Sequence, residues 1–200
     1  MLRIAQIAPL FESVPPKLYG GTERVVAYLT DELINLGHEV TLFASGDSQT
    51  RAKLVAITPE ALRLKNSTDQ MAGHILQLQE VIDRAHEFDL LHFHTDYLHF
   101  PVSRLGKWKT ITTLHGRLDI PELKPLYRKF RDMPVVSISG SQRNPLLIAN
   151  WVGTVYHGLP ANLYTQGPGD GGYVAFIGRV SPEKRADRAI ENARPANMKI

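Results

Sequence analysis

The sequence predicts an α/β fold: a doubly wound parallel sheet of the Rossmann-like kind, followed by the first strand and helix of a second Rossmann-like unit. Three observations carry this. Strand-like and helix-like segments alternate along the chain. The strand-like segments are β-branched and almost wholly apolar, which marks strands covered on both faces. The alternation then restarts after a stretch in which Gly167, Pro168, Gly169, Gly171 and Gly172 crowd together.

The elements follow in order. Leu2 to Ala8 is an apolar run stopped by Pro9, and a loop with Pro15, Pro16, Gly20 and Gly21 comes next. Thr22 is placed to cap a helix whose apolar residues Val26, Leu29, Leu33 and Leu36 recur at three- and four-residue spacing, and Gly37 ends it. Val40 to Ala44 reads as a strand closed by Ser45-Gly46-Asp47; residues 51 to 67 give no clear pattern. Asp69 is the expected cap of a second helix, with Met71, Ile75, Leu78, Ile82 and Ala85 on its inner face. Strands are expected at Asp89 to Phe93, Thr110 to Leu114, Val135 to Ser139 and Val152 to Tyr156. Asp119, with Pro121 just inside, marks a helix start, and a short helix is expected from Ser141 towards Ala149.

The domain reading is therefore residues 1–165 as one Rossmann-like domain, 166–172 as linker and 173–200 as the opening of a second domain. In that opening, Tyr173 to Ile177 reads as strand, Gly178-Arg179 as turn, and a helix starts at Pro182 or Glu183 and runs to about Arg194. A lone strand–helix pair cannot bury its own apolar face, so the second domain is expected to be incomplete.

Composition narrows the function. The chain has 200 residues, 43% of them hydrophobic, enough for a packed core. The formal charge is +3 with no run of basic residues, which argues against a nucleic-acid partner. The absence of cysteine excludes disulfides, thiolate metal sites and cysteine nucleophiles, and suits a cytoplasmic location. No signal peptide and no run long enough to cross a bilayer are expected.

Ligands of open parallel sheets bind beyond the C-terminal strand ends, and four groups of residues fall there. Gly20-Gly21 precede a helix N-terminus, where unpaired N–H groups can meet an anion. His92 and His94 lie two apart on one strand and share a face, with Asp96 and His99 just beyond. A metal there would need a third ligand that the sequence does not show, so no metal is assigned. One of these imidazoles is read as a hydrogen-bonding core group and another as lining the cleft. His115, followed by Gly116, ends the strand from Thr110 and is placed to meet a ligand. Arg179 and Lys184 stand at the first strand–helix junction of the second unit, where cations and a helix end converge on a phosphate; Arg185 and Arg188 read as solvated.

Taken together, Tyr19-Gly20-Gly21-Thr22-Glu23, Leu36 to Leu42, Asp89 to His94, Thr113-Leu114-His115-Gly116, Val136 to Ser139, His157-Gly158-Leu159 and Phe176 to Lys184 resemble the retaining two-domain GT-B glycosyltransferases of the family-four type, which include sucrose synthases and phosphatidylinositol mannosyltransferases. The resemblance spans nearly the whole chain. It implies transfer of a sugar from a nucleoside diphosphate sugar, with retention and without a metal or other cofactor, to a glycan, a lipid-linked acceptor or a small molecule. It further implies that the cleft lies between two domains and that peripheral membrane contact accompanies a lipid-linked acceptor. By residue, it implies that His115 faces the donor sugar, that Gly20, Gly21, Arg179 and Lys184 serve the donor phosphates, and that His92, His94 and Asp96 line the cleft. Such proteins usually carry Gly after the diphosphate lysine, where this chain has Arg185. Their paired-glutamate segment comes later than residue 200, so the chain alone is expected to be inactive. Two alternatives remain open: an epimerase or phosphorylase of the same fold, and a glycan- or phosphate-binding module without turnover.

Overall fold

The computed structural model describes residues 1–178, 180–182 and 184–200. It divides into two units, Met1–Pro160 and Ala161–Ile200.

The first unit is built on a seven-stranded, all-parallel sheet. Its strands are β1 (Arg3–Ile7), β2 (Glu39–Ala44), β3 (Lys53–Ala56), β4 (Leu90–Phe93), β5 (Thr110–Leu114), β6 (Pro134–Ser137) and β7 (Asn150–Thr154). The spatial order is β3-β2-β1-β4-β5-β6-β7. Sequence order thus reverses between β1 and β4, and in open α/β sheets that switch point is where a ligand crevice opens.

The helices are α1 (Gly21–Asn35), α2 (Gln70–Arg84), α3 (Phe100–Gly106) and α4 (Leu123–Lys129), with short 3-10 helices at Ala85–Glu87 and Ser141–Leu146. They cover both faces, as a doubly wound sheet requires. Ala5, Ile7, Phe43, Leu91 and Phe93 pack with Val81 of α2, whereas Leu42 and Ala44 pack with Val26 of α1. Because side chains alternate along a strand, Phe43 and its neighbour Leu42 reach opposite layers. A third cluster joins Leu114 and Val135 of the sheet to Phe100, Leu123 and Tyr127 of α3 and α4.

Several expectations need correction. Thr22 is not the cap of α1: Gly20 holds that position, without a side-chain hydrogen bond. Leu36 is exposed rather than packed. Gly37 does end the helix, at φ +84°. Its N–H donates to Ile34 O and that of His38 to Leu33 O, a Schellman closure that favours glycine. Asp69 caps α2 as expected, accepting from the N–H groups of Met71 and Ala72. The buried face of α2, however, is Gly73, His74, Gln77 and Val81, while Met71 and Ile75 are exposed. The cause is backbone satisfaction. Gln77 Nε2 donates to Ala8 O and Phe43 O, and His74 Nε2 accepts from Leu10 N–H, so these polar side chains close the ends of β1 and β2. Asp119 caps no helix. Its carboxylate is held by Arg117, at 2.9 and 2.7 Å, and α4 begins at Leu123. The patternless stretch contains β3, and α3 lies between β4 and β5, where the sequence pattern gives no helix.

In the second unit the expected strand is reduced to a single parallel bridge between Tyr173 and Lys199. The helix α5 (Ala186–Ala193) begins later than expected; Glu183, one of the two expected starts, lies outside the described residues. Ile177 and Val180 are almost fully exposed. Arg185, immediately before α5, sits in the left-handed region at φ 54°, which explains why a glycine suits this position. Arg185→Gly is expected to stabilise the start of α5 by about 0.5–1 kcal/mol, the lost exposed ion pair to Asp187 offsetting little. Amide hydrogen exchange across residues 186–193 should slow severalfold; faster exchange would contradict the strain argument.

Candidate functional site

At the switch point the chain places a file of imidazoles. Gln6 of β1 stands opposite His92 of β4 in the parallel register. Alternation puts His92 and His94 on one face of β4, with ring centroids 4.3 Å apart. Thr113 and His115 follow on β5 and its C-terminal end. The rings of His94 and His115 are 5.2 Å apart, and that of His157, just after β7, is 5.5 Å from His115. The three histidines singled out from the sequence as cleft residues are thus brought together, as is a fourth, His157.

Their polar atoms are tightly committed. Gln6, wholly buried, reaches His92 Nδ1 with its amide nitrogen at 3.3 Å and His94 Nε2 with its amide oxygen at 2.8 Å. His94 Nδ1 lies 2.9 Å from His115 Nε2, and His92 Nε2 lies 2.8 Å from Thr113 Oγ1. His115 Nδ1 is buried and has no hydrogen-bond partner among the described residues. Such an orphan costs roughly 1–3 kcal/mol until something satisfies it.

Burial sets the charge state. It pushes His92 down to about 4 and His115 to about 3, the second helped by the neighbouring His157 and His92. His94 is driven well below its ordinary value by burial and by its imidazole neighbours. All three are therefore neutral at physiological pH. They can orient and exchange hydrogen bonds, but they do not serve as cationic acids there. Apart from His115 Nδ1, their ring nitrogens point at Gln6, Thr113 and each other, and no group of three or more metal-binding side chains is present among the described residues.

His99 has a separate role. It is buried on the opposite face, stacked on Phe93 at 3.6 Å, and its nitrogens lie 2.8 Å from Ser103 Oγ and 2.7 Å from Thr112 Oγ1. It is a packing residue.

Beside His94 opens a cleft of about 300 Å³, lined among others by Phe11, His74, Asp96 and Tyr97. Asp96 adopts a left-handed backbone at φ 53°. Its residue surface is exposed while its carboxyl is hemmed in, which pushes the carboxyl up to about 6.

The diglycine is less simple than the sequence suggested. A Cβ on Gly20 would fall 2.8 Å from Pro16 Cβ and 2.9 Å from Glu23 Oε2, so packing alone demands glycine there. Around Gly21 the space is open. Glu23 is buried at the start of α1, and burial raises its carboxyl. The preceding loop is pinned by Arg63, which pairs with buried Glu12 at 2.8 Å. Sequence reasoning missed Gln6, Glu12 and Arg63. The one available signal was Gln6 itself, a polar residue inside an otherwise apolar strand that must find partners.

In the second unit Lys184 is exposed, and its N–H donates to Ser181 O. It precedes α5 rather than lying in its first turn. Arg179 lies outside the described residues.

Residues 19–143 match the family described as Glycosyltransferase Family 4. No curated protein of similar sequence was found. The solved structure of AviGT4, a glycosyltransferase involved in avilamycin A biosynthesis, superposes with a TM-score of 0.64 at 23% identity. The superposition covers 99% of this chain and 55% of that one, so the chain spans about half the length of AviGT4. A sucrose-phosphate synthase structure from Thermosynechococcus elongatus gives a TM-score of 0.50 at 11% identity, covering 80% of this chain and 90% of that one. These likenesses concern the fold.

Proposed function

The chain belongs to Glycosyltransferase Family 4, with the Rossmann-like fold of a GT-B amino-terminal domain, and from that premise we propose that it forms part of a cytoplasmic enzyme moving a sugar from a nucleoside diphosphate sugar to an acceptor. One observation carries the reading: a file of neutral imidazoles, ending in an unsatisfied nitrogen of His115, at the switch point of the sheet.

In this proposal His115 meets the donor sugar. Arg179 and Lys184 are assigned to the diphosphate, and Gly20 and Gly21 to the donor phosphates. Negative charge builds on the departing phosphate oxygen, and fixed cations and dipoles stabilise it. The imidazoles, being neutral, position the sugar rather than protonate the leaving group. That division of labour suits a metal-independent transfer with retention. Asp96 and the adjoining cleft, with Phe11 and Tyr97 in its wall, suit the acceptor: a glycan, a lipid-linked sugar or a small molecule. No helix among the described residues is long and apolar enough to cross a membrane, so a lipid-linked acceptor would be met at the bilayer surface.

Calorimetric titration of the intact protein with nucleoside diphosphates tests the phosphate assignment. Arg179→Ala and Lys184→Ala are each expected to weaken binding about tenfold or more, the scale of a lost charge-assisted hydrogen bond. Unchanged affinity in both variants would remove these residues from the donor site.

A further inference from the structure

We infer that Gln6 is a positioning residue that sets the tautomers of three imidazoles at once, and that through them it leaves Nδ1 of His115 as a bare hydrogen-bond acceptor. The tautomer assignment stands on hydrogen-bond geometry in a buried site; its meaning for a sugar rests on the glycosyl-transfer reading.

The amide of Gln6 is a fork with two unlike prongs. Its oxygen can only accept, and it lies 2.8 Å from His94 Nε2, so His94 carries its hydrogen on Nε2. Its nitrogen can only donate, and it lies 3.3 Å from His92 Nδ1, so that nitrogen is bare. Burial keeps each ring neutral with a single hydrogen. His94 Nδ1 is therefore bare, and His115 Nε2, 2.9 Å away, must donate to it. His115 has then spent its one hydrogen, and its Nδ1 is a free lone pair. On the other branch, His92 donates from Nε2 to Thr113 Oγ1 at 2.8 Å. Every contact is satisfied with the hydrogen on Nε2 of all three rings.

Turning the amide over would invert all three together. His94 Nε2 would accept, His94 Nδ1 would donate to His115, and His115 would present an N–H instead of a lone pair. One buried side chain, with no atom in the cleft lining, thus decides what His115 offers to a ligand. A bare Nδ1 accepts from a sugar hydroxyl and repels the oxygens of a phosphate or carboxylate. An N–H would do the reverse. The arrangement selects a neutral, hydroxyl-bearing sugar at His115 and keeps the diphosphate away from it.

The test is nitrogen-15 NMR of the histidine-labelled 200-residue chain, using long-range proton–nitrogen correlations at neutral pH without any nucleotide. His92, His94 and His115 are each expected to show a protonated Nε2 and a bare Nδ1. In Gln6→Met, which keeps the length of the side chain but neither prong, the two nitrogen signals of His115 should move towards one another as the tautomers exchange. A purely structural role would leave them in place. A hydrogen on Nδ1 of any of the three rings in the wild-type chain overturns the inference, as does a folded Gln6→Met whose His115 signals do not move. If Gln6→Met does not fold, the wild-type spectrum decides. No donor enters this experiment, so a protein that transfers no sugar can still show these tautomers, and an active one can still lack them.

Discussion

His115→Ala is expected to lower kcat/KM for glycosyl transfer roughly tenfold to a hundredfold while the sheet stays folded, the range for removing one buried hydrogen bond to a ligand. The ring is only partly buried, its Nε2 is hydrogen-bonded to His94, and its Nδ1 is already unsatisfied. Its loss therefore removes little that holds the first unit together. Steady-state kinetics with thermal melting as companion would separate the two effects. His99→Ala is the matched control. His99 is stacked on Phe93 and bonded to Ser103 and Thr112 within the core, so its loss should lower the melting temperature and leave the rate per folded molecule near wild type. An inactive His99→Ala of normal stability, or a fully active His115→Ala, would reverse the assignment of these two histidines.

The second large effect is acid instability. His92, His94, His99 and His115 are all held below the ordinary imidazole value, chiefly by burial, which brings His92 to about 4 and His99 and His115 to about 3. An imidazole depressed in the folded state contributes stability that is present above its unfolded value near 6.5 and is lost as pH falls towards the folded value. Each therefore makes stability fall as pH drops through that window, and the four act in the same direction. Asp96 acts in the opposite sense. Its carboxyl is raised to about 6 by burial, so its contribution is lost on raising the pH through that value and regained on lowering it. One carboxyl offsets only part of four imidazoles. With a typical domain stability of about 5–15 kcal/mol, the first unit should lose much of its stability between about pH 6.5 and 4.5. Urea melts followed by the fluorescence of Trp108 and Trp151 from pH 7 to 4.5 would show it; a stability that stays flat over that range would mean the rings are not desolvated as described.

Much of this was legible in the sequence. The runs of β1 and β2 are mostly apolar and that of β5 is β-branched, because both faces of the sheet are covered, and that pattern needs no partner to be recognised. Asp69 announces α2 by local chemistry alone. The inner face of α2 could not be read in the same way. Periodicity favoured Met71 and Ile75, but the helix turns His74 and Gln77 inward, because the carbonyls of Ala8 and Phe43 and the N–H of Leu10 need partners that only the folded sheet presents. β3 escaped notice because an edge strand of four residues, exposed at both ends and half-buried between, has neither a long apolar run nor a clean alternation. Helix α3, at seven residues, is too short to display a period. The same division applies to the site. His92, His94 and His115 were visible as histidines at strand ends. The role of Gln6 depends on β1 lying beside β4, a long-range pairing that no local signal encodes.

Acceptor-dependent transfer of label from sugar nucleotides by the intact protein tests the central claim most directly. The expected result is labelled sugar joined to an acceptor, with retained anomeric configuration and one nucleoside diphosphate released per transfer. Label epimerised without an acceptor, label appearing only on inorganic phosphate, or saturable binding with no nucleotide released from any donor would contradict it.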